Sequence, residues 1–200
     1  MKIRRFANHL HYSIIALLMS GCSFQALAQD AHSNMQAPEH QQLTAAQKTK
    51  AGALIKAVRE ATTRLQDVSV AQAEGYALQF GCVSGGDVGA MGMHFINGNL
   101  VGSGVIDAAH PQIVLYEPTS NGGVRLTGAD YLVLVDTWNS MHPGAGPPEL
   151  MGQLFHFFDA PNRFGLPPFY TLHVWAWKDN PNGAFVNWNP DVSCEAFAGE

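Results

Sequence analysis

The sequence predicts an α+β domain, with an N-terminal helical pair packed on a mostly antiparallel curved β-sheet or partly closed barrel. Three observations predict it. Between residues 44 and 77 apolar residues recur at helical spacing behind two capping patterns. From Gly81 onward glycines become frequent and apolar runs shorten to strand length between turn signals. Late in the chain, Phe169 to Cys194 sets a histidine in an aromatic strand, adds two Asn-Pro turns and closes on a cysteine with one available partner.

The chain opens on a targeting pattern. Lys2, Arg4 and Arg5 precede a short apolar core, Tyr12 to Met19, and Ala26-Leu27-Ala28 has the form of a cleavage site. Residues 1–28 are therefore expected to be a signal peptide. The apolar run falls short of the roughly 20 residues a membrane span takes, so no transmembrane span is expected in the mature chain. A second reading stays open. Leu18-Met19-Ser20-Gly21-Cys22 resembles a lipobox, which would make Cys22 a lipid anchor. Both readings export the protein, as a periplasmic or secreted domain.

Of three cysteines, Cys22 is removed or lipidated on either reading, leaving Cys82 and Cys194. An even pair in an oxidising compartment is expected to form a disulfide, with two buried free thiols as the alternative. No C-x-x-C occurs, which sets aside thioredoxin and zinc-knuckle motifs. Cleavage after Ala28 would remove three basic residues and no acidic one, leaving eight basic against 16 acidic side chains and a net charge of −8. The basic residues are scattered, so nucleic-acid and anionic-membrane binding are both disfavoured. About 170 residues remain, enough for one domain with a real core. The sequence does not set the oligomeric state.

Residues 29–43 are polar and Gln-rich, a flexible lead-in whose His32 and His40 are expected to be solvated. The single domain then runs over 44–200. Thr44-Ala45-Ala46-Gln47 is a capping box, followed by Ala51, Leu54, Ile55, Val58, Ala61 and Leu65 on one helical face. Ser69-Val70-Ala71-Gln72 repeats the pattern for a short second helix. Strands are expected near 91–96, 112–117, 123–127, 130–137 and 170–178, with a short one at 184–187. The third and fourth are close enough to be continuous or bulged at Gly128. Residues 138–169 carry six prolines and form a long irregular excursion, with a short helix expected at 149–157.

Strand parity sorts the chemistry, because successive side chains alternate between faces. His94, Glu117, Asp130 and His173 project from otherwise apolar strands, and a buried charge is costly unless paired or bound to a metal. Two imidazoles with one or two carboxylates suit one divalent metal, zinc, iron or manganese, with a position open to water or substrate. The candidate ligands are therefore His94, Glu117, Asp130 and His173, with His156 as a fifth ligand or proton shuttle. Spacing alone does not diagnose a site: there is no H-E-x-x-H, and the candidates span eighty residues. The same groups also admit a structural reading, in which His94 bonds a backbone carbonyl and His173 pairs with one carboxylate. His110 and His142 fall in turns. Nucleophile and nucleotide motifs are missing: there is no G-x-S-x-G, no P-loop and no G-x-G-x-x-G. The competing functional reading is a non-catalytic binding module, with Trp138, Trp175, Trp177, Trp188 and the phenylalanines of 155–169 lining a pocket for a small-molecule ligand. A structural envelope protein is a third.

A string of motifs spans most of the mature chain: Asp67 to Tyr76, Gly92-Met93-His94-Phe95, Leu115-Tyr116-Glu117-Pro118, His173-Val174-Trp175, Asn180-Pro181-Asn182-Gly183 with Phe185, and Trp188-Asn189-Pro190 with Cys194-Glu195. In these the chain resembles a functionally unassigned family of exported bacterial proteins. That family has Val-Glu where this chain has Ala129-Asp130, so a ligand there would be the shorter carboxylate. The resemblance implies a shared fold and export, and it adds no reaction.

Overall fold

The structure is a computed structural model that describes residues 43–199; the targeting segment, Cys22, His32 and His40 lie outside the described residues. Helix α1 (Ala45–Thr62) starts where its capping box puts it. The Thr44 hydroxyl accepts from the Gln47 N–H, and the Gln47 side chain accepts from the Thr44 N–H. After a tight turn at Thr63–Gln66, α2 (Val68–Ala73) has its cap two residues ahead of the expected Ser69. Asp67 is the cap instead, because its carboxylate accepts the Ser69 N–H at 2.9 Å.

The strands are β1 (Ala77–Ser84), β2 (Ala90–Ile96), β3 (Ile113–Pro118), β4 (Val124–Leu134), β5 (Glu149–Leu150), β6 (Gln153–Leu154), β7 (His156–Phe158) and β8 (Phe169–Val174). Six of them make one sheet in the order β1-β2-β3-β4-β8-β7, with every neighbouring pair antiparallel. Strands β5 and β6 form a separate hairpin. Two short helices sit in connections, α3 (Gly98–Ser103), capped by Asn97, and α4 (Val135–Met141).

Several boundaries differ from expectation for identifiable reasons. Strand β1 was not anticipated: Phe80 and Gly81 both take positive φ and make a bulge between Gln79 and Cys82. The segments 123–127 and 130–137 are one strand through Gly128, ending at Leu134, where α4 begins. The expected helix at 149–157 is replaced by β5, β6 and β7, because Met151 and Gly152 both adopt positive φ and turn the chain back. Residues 184–187 form no strand; the Trp175 N–H and indole bond the Ala184 and Val186 carbonyls instead.

Both faces of the sheet are covered. On one, Leu54 and Val58 of α1 pack on Ala129, Tyr131, Leu172 and Val174, while Leu65 and Ala71 pack on Met93, Phe95, Val114 and Tyr116. Polar anchors fix this layer: the Tyr116 hydroxyl donates to the Leu65 carbonyl, and the Trp177 indole to Thr62. On the opposite face Ile113, Leu115, Leu132 and Phe169 form a second core, closed by Val101 of α3 and by Phe164 and Leu166. His94, Asp130 and His173 belong to this second face.

The C-terminal segment is tied back to the sheet edge. Asn189 bridges Ala90, and Cys194 is disulfide-bonded to Cys82 across a separation of 112 residues. Closing a loop of that length stabilises a domain by about 4–5 kcal/mol in the chain-entropy model. Replacing both cysteines by alanine is therefore expected to lower unfolding stability by about 2–5 kcal/mol, read from the urea midpoint of the oxidised protein against the double variant.

Candidate metal centre

The site is built by strand register. Ile96, Ile113, Asp130 and His173 lie in one cross-strand row, and His94 lies in the next, opposite Leu115 and Gly128. Strands β2 and β8 are three strand spacings apart, about 14 Å in a flat sheet. The His94 and His173 rings nonetheless meet with centroids 5.9 Å apart. Coiling of the sheet brings them together. The register shift between Leu115 and Tyr116 against β4 supplies part of that coil. Gly128 supplies more, since a Cβ there would lie 2.3 Å from the Val174 carbonyl oxygen.

Nitrogens of His94 and His173 and a carboxylate oxygen of Asp130 all lie within 4.8 Å of one another, and all three residues are buried. Donors on a tetrahedral metal with bonds near 2.1 Å stand about 3.4 Å apart, so modest side-chain rotation closes the set. One edge is already close to that spacing, with His173 Nδ1 3.6 Å from Asp130 Oδ1. That separation is too long for a hydrogen bond. Both ring nitrogens of His173 are buried without any hydrogen-bond partner. His94, in contrast, has Nδ1 3.1 Å from the Gly92 carbonyl oxygen. A proton on Nδ1 donated there leaves Nε2 as a free lone pair, the arrangement that orients metal-binding histidines. Asp130 Oδ1 accepts from the Thr171 hydroxyl at 2.5 Å, which holds the carboxylate in place.

Burial governs the charge state. It pushes His94 down to about 4, with the neighbouring His173 adding to the effect, and His173 down to about 3. Burial also pushes the Asp130 carboxyl up to about 6, against the hydrogen bond from Thr171. Burial therefore keeps both imidazoles neutral, with lone pairs free for a metal, and makes the Asp130 carboxyl easier to protonate than an exposed aspartate. This small domain thus carries a His/Asp cluster able to hold a single divalent metal ion.

The cluster opens onto apolar walls. Phe80, Phe158, Phe164 and Phe169 surround it with Met91 and Leu166. The rings pack on one another, Phe80 to Phe164 at 5.3 Å and Phe158 to Phe169 at 5.0 Å between centroids. The free space admits the centre of a water molecule over only about 20 Å³, room for an ion or one or two waters. Phe164 and Leu166 come from the turn after β7, which Asn162 braces: its Oδ1 accepts the Phe164 and Leu166 N–H groups, and its Nδ2 donates to the Asp159 and Leu166 carbonyls.

Glu117 does not join the cluster. It shares a face with Leu115 but sits further along β3, where Lys178 bonds both carboxylate oxygens at 2.9 and 2.8 Å, Arg125 bonds one at 2.6 Å, and the Ser193 N–H bonds the other. A kink brings Lys178 there. β8 ends at Val174 rather than running to 178, the Ala176 N–H turns back to the Val174 carbonyl, and the Trp177 and Lys178 N–H groups both bond the Thr127 carbonyl. The same kink removes Trp177 from the face of His173. The four tryptophans do not line one pocket: Trp138 stacks on His142 and bonds Gly146, Trp175 bonds Val186 with its ring 6.2 Å from that of His173, Trp177 bonds Thr62, and Trp188 lies under Arg163. His156 is exposed, paired with Thr171 in register and 3.1 Å from Asn187 Oδ1. It stands beside the three donors and is not one of them. His110 is exposed on Asp107.

No family model matches this chain, and no curated protein or solved structure matches it. The residues of the site therefore carry the functional reading. Among the described residues no helix is long and apolar enough to cross a membrane. Phe80, Thr171 and Asn162 escaped the sequence reading. Thr171 shares strand parity with His173, a signal already present in the sequence, whereas Phe80 and Asn162 act through a bulge and a turn that no periodicity marks.

The Glu117 network yields a pH prediction. Burial raises the Glu117 carboxyl, but Lys178, Arg125 and the Ser193 N–H outweigh it and hold it below the usual range. A depressed folded-state pKa stabilises above the unfolded pKa of about 4.3, and the gain is lost as pH falls through the folded value. Glu117→Gln is expected to cost about 1–3 kcal/mol at pH 7, with wild-type and variant urea curves converging toward pH 3.

Proposed function

We propose that the domain binds one divalent metal through His94, Asp130 and His173 and uses it on a small substrate that enters the phenylalanine-lined pocket. The observation that carries this reading is His173. A structural role would give its ring a hydrogen bond to Asp130 or to the backbone. Instead both nitrogens are buried without a hydrogen bond of normal geometry, although the Asn187 side chain lies beside the ring, and the Asp130 carboxylate oxygen stands 3.6 Å away, close to the spacing of two ligands on one ion. Leaving a buried polar group unsatisfied costs about 1–3 kcal/mol, which a bound cation recovers.

Two histidines and one carboxylate leave coordination positions open, the pattern of zinc hydrolases and of non-haem iron sites. A divalent ion held this way supplies a Lewis acid or, as iron, a redox centre. Zinc, iron and manganese all fit the donors. The chain's own part is to orient the donors, through Gly92 on His94 and Thr171 on Asp130, and to exclude water with the phenylalanine wall. Export is part of the same reading, supported by the N-terminal targeting pattern, by the Cys82–Cys194 bridge and by the family resemblance.

Elemental analysis of protein purified without a histidine tag tests the reading. After incubation with zinc, ferrous iron or manganese and desalting, the wild type is expected to retain about one equivalent of one of them. A His94→Ala/His173→Ala variant with native circular dichroism is expected to retain none. Absence of metal from the wild type under all three conditions would overturn the proposal.

A further inference from the structure

We infer that the substrate of this site is an amphipathic small molecule, with an apolar chain or ring lying in a groove outside the metal pocket and a Lewis-basic head reaching the cluster. The inference rests on the metal reading above. A second, larger depression of about 310 Å³ lies directly against the pocket. The two share Phe80, Ile96, Leu132 and Leu166 as walls. Beyond that partition the groove is floored by Leu134 and sided by Val101.

Strand geometry lines the parts up. On β4, Asp130, Leu132 and Leu134 share one face at steps of about 6.7 Å. The ligand, the partition and the groove floor therefore follow one another along a single strand. A molecule with its head at Asp130 would run its tail over Leu132 onto Leu134. The pocket itself has room for an ion or one or two waters, so the bulk of any larger substrate has to lie outside it, and the groove beyond the shared wall is the adjoining apolar space.

Phe80 marks the junction. It is 44% exposed and takes φ +62°, a left-handed conformation unfavourable for a residue with a Cβ. Its ring packs on Phe164 and still leaves apolar surface facing both cavities. The strain comes from the β1 bulge, which sets the Phe80 ring on Phe164 at the boundary of both cavities. This makes Phe80 a specificity-determining residue, a hydrophobic shoulder between head and tail.

The test uses alkyl hydroxamates, whose head chelates a metal, on protein loaded with cobalt(II), followed through the visible spectrum of the ion. Affinity is expected to rise from acetohydroxamate to octanohydroxamate by about fourfold for each methylene that enters the groove, at least about 20-fold in all. Val101→Ala and Leu134→Ala, which put no charge into the second core, are each expected to reduce that rise and leave the cobalt spectrum and acetohydroxamate affinity unchanged. Equal affinity for short and long hydroxamates in the wild type would overturn the inference and leave the metal site standing. A rise that survives both groove variants undiminished would overturn it as well. No cobalt spectrum in the wild type, together with no retention of zinc, ferrous iron or manganese, would overturn the metal reading, and the inference with it.

Discussion

Coiling of the sheet is the constraint on which the rest depends. His94 and His173 come from strands with two others between them, and in a flat sheet their rings would never meet. The bend is produced where β4 slips register against β3 and where Gly128 lets the Val174 backbone approach to a distance that no Cβ permits. From that bend follow a concave face able to gather three donors and a convex face on which the helices pack. The helix layer stabilises the curvature: Leu54 and Val58 press on the backs of the strands whose front faces carry Asp130 and His173.

The site is a local exception to the rule that buried polar groups find partners. Around it the rule holds closely. Glu117, on the same face, collects two cations and a backbone N–H, while Asp130 is held by Thr171 and His94 by Gly92. His173 alone among these is left without a partner. Donor atoms of His94, Asp130 and His173 lie within 4.8 Å of one another, so a single cation would partner all three at once. The contrast between the two carboxylates is electrostatic. Glu117 sits where Lys178 and Arg125 neutralise it, whereas among the described residues no lysine or arginine pairs with Asp130, which has the Thr171 hydroxyl and the neighbouring histidines.

Much of this was legible in the chain. The capping box at Thr44, the α+β order, and the strand parity of His94, Asp130 and His173 are all local signals, and the structure follows them. What escaped was non-local or lay in backbone irregularity. Glu117 has the parity of a ligand, but a cation sixty residues later reaches it only because the chain kinks after Val174. Trp177 looked coplanar with His173 for the same reason and was turned toward Thr62. Strand β1 hid behind Gly81, a residue that reads as a turn and here makes a bulge. In each case the period was right and an interruption of the period decided the outcome.

The central claim is that one ion sits between three named side chains, and anomalous diffraction tests it most directly. Crystals grown with the metal that the protein retains and measured at that metal's absorption edge are expected to show one strong peak at about 2.0–2.2 Å from His94 Nε2, a ring nitrogen of His173 and an Asp130 oxygen. His173 would then have the partner it lacks. A crystal that shows no peak there, with water or a rotated side chain satisfying His173, would contradict the account and return the cluster to a structural role.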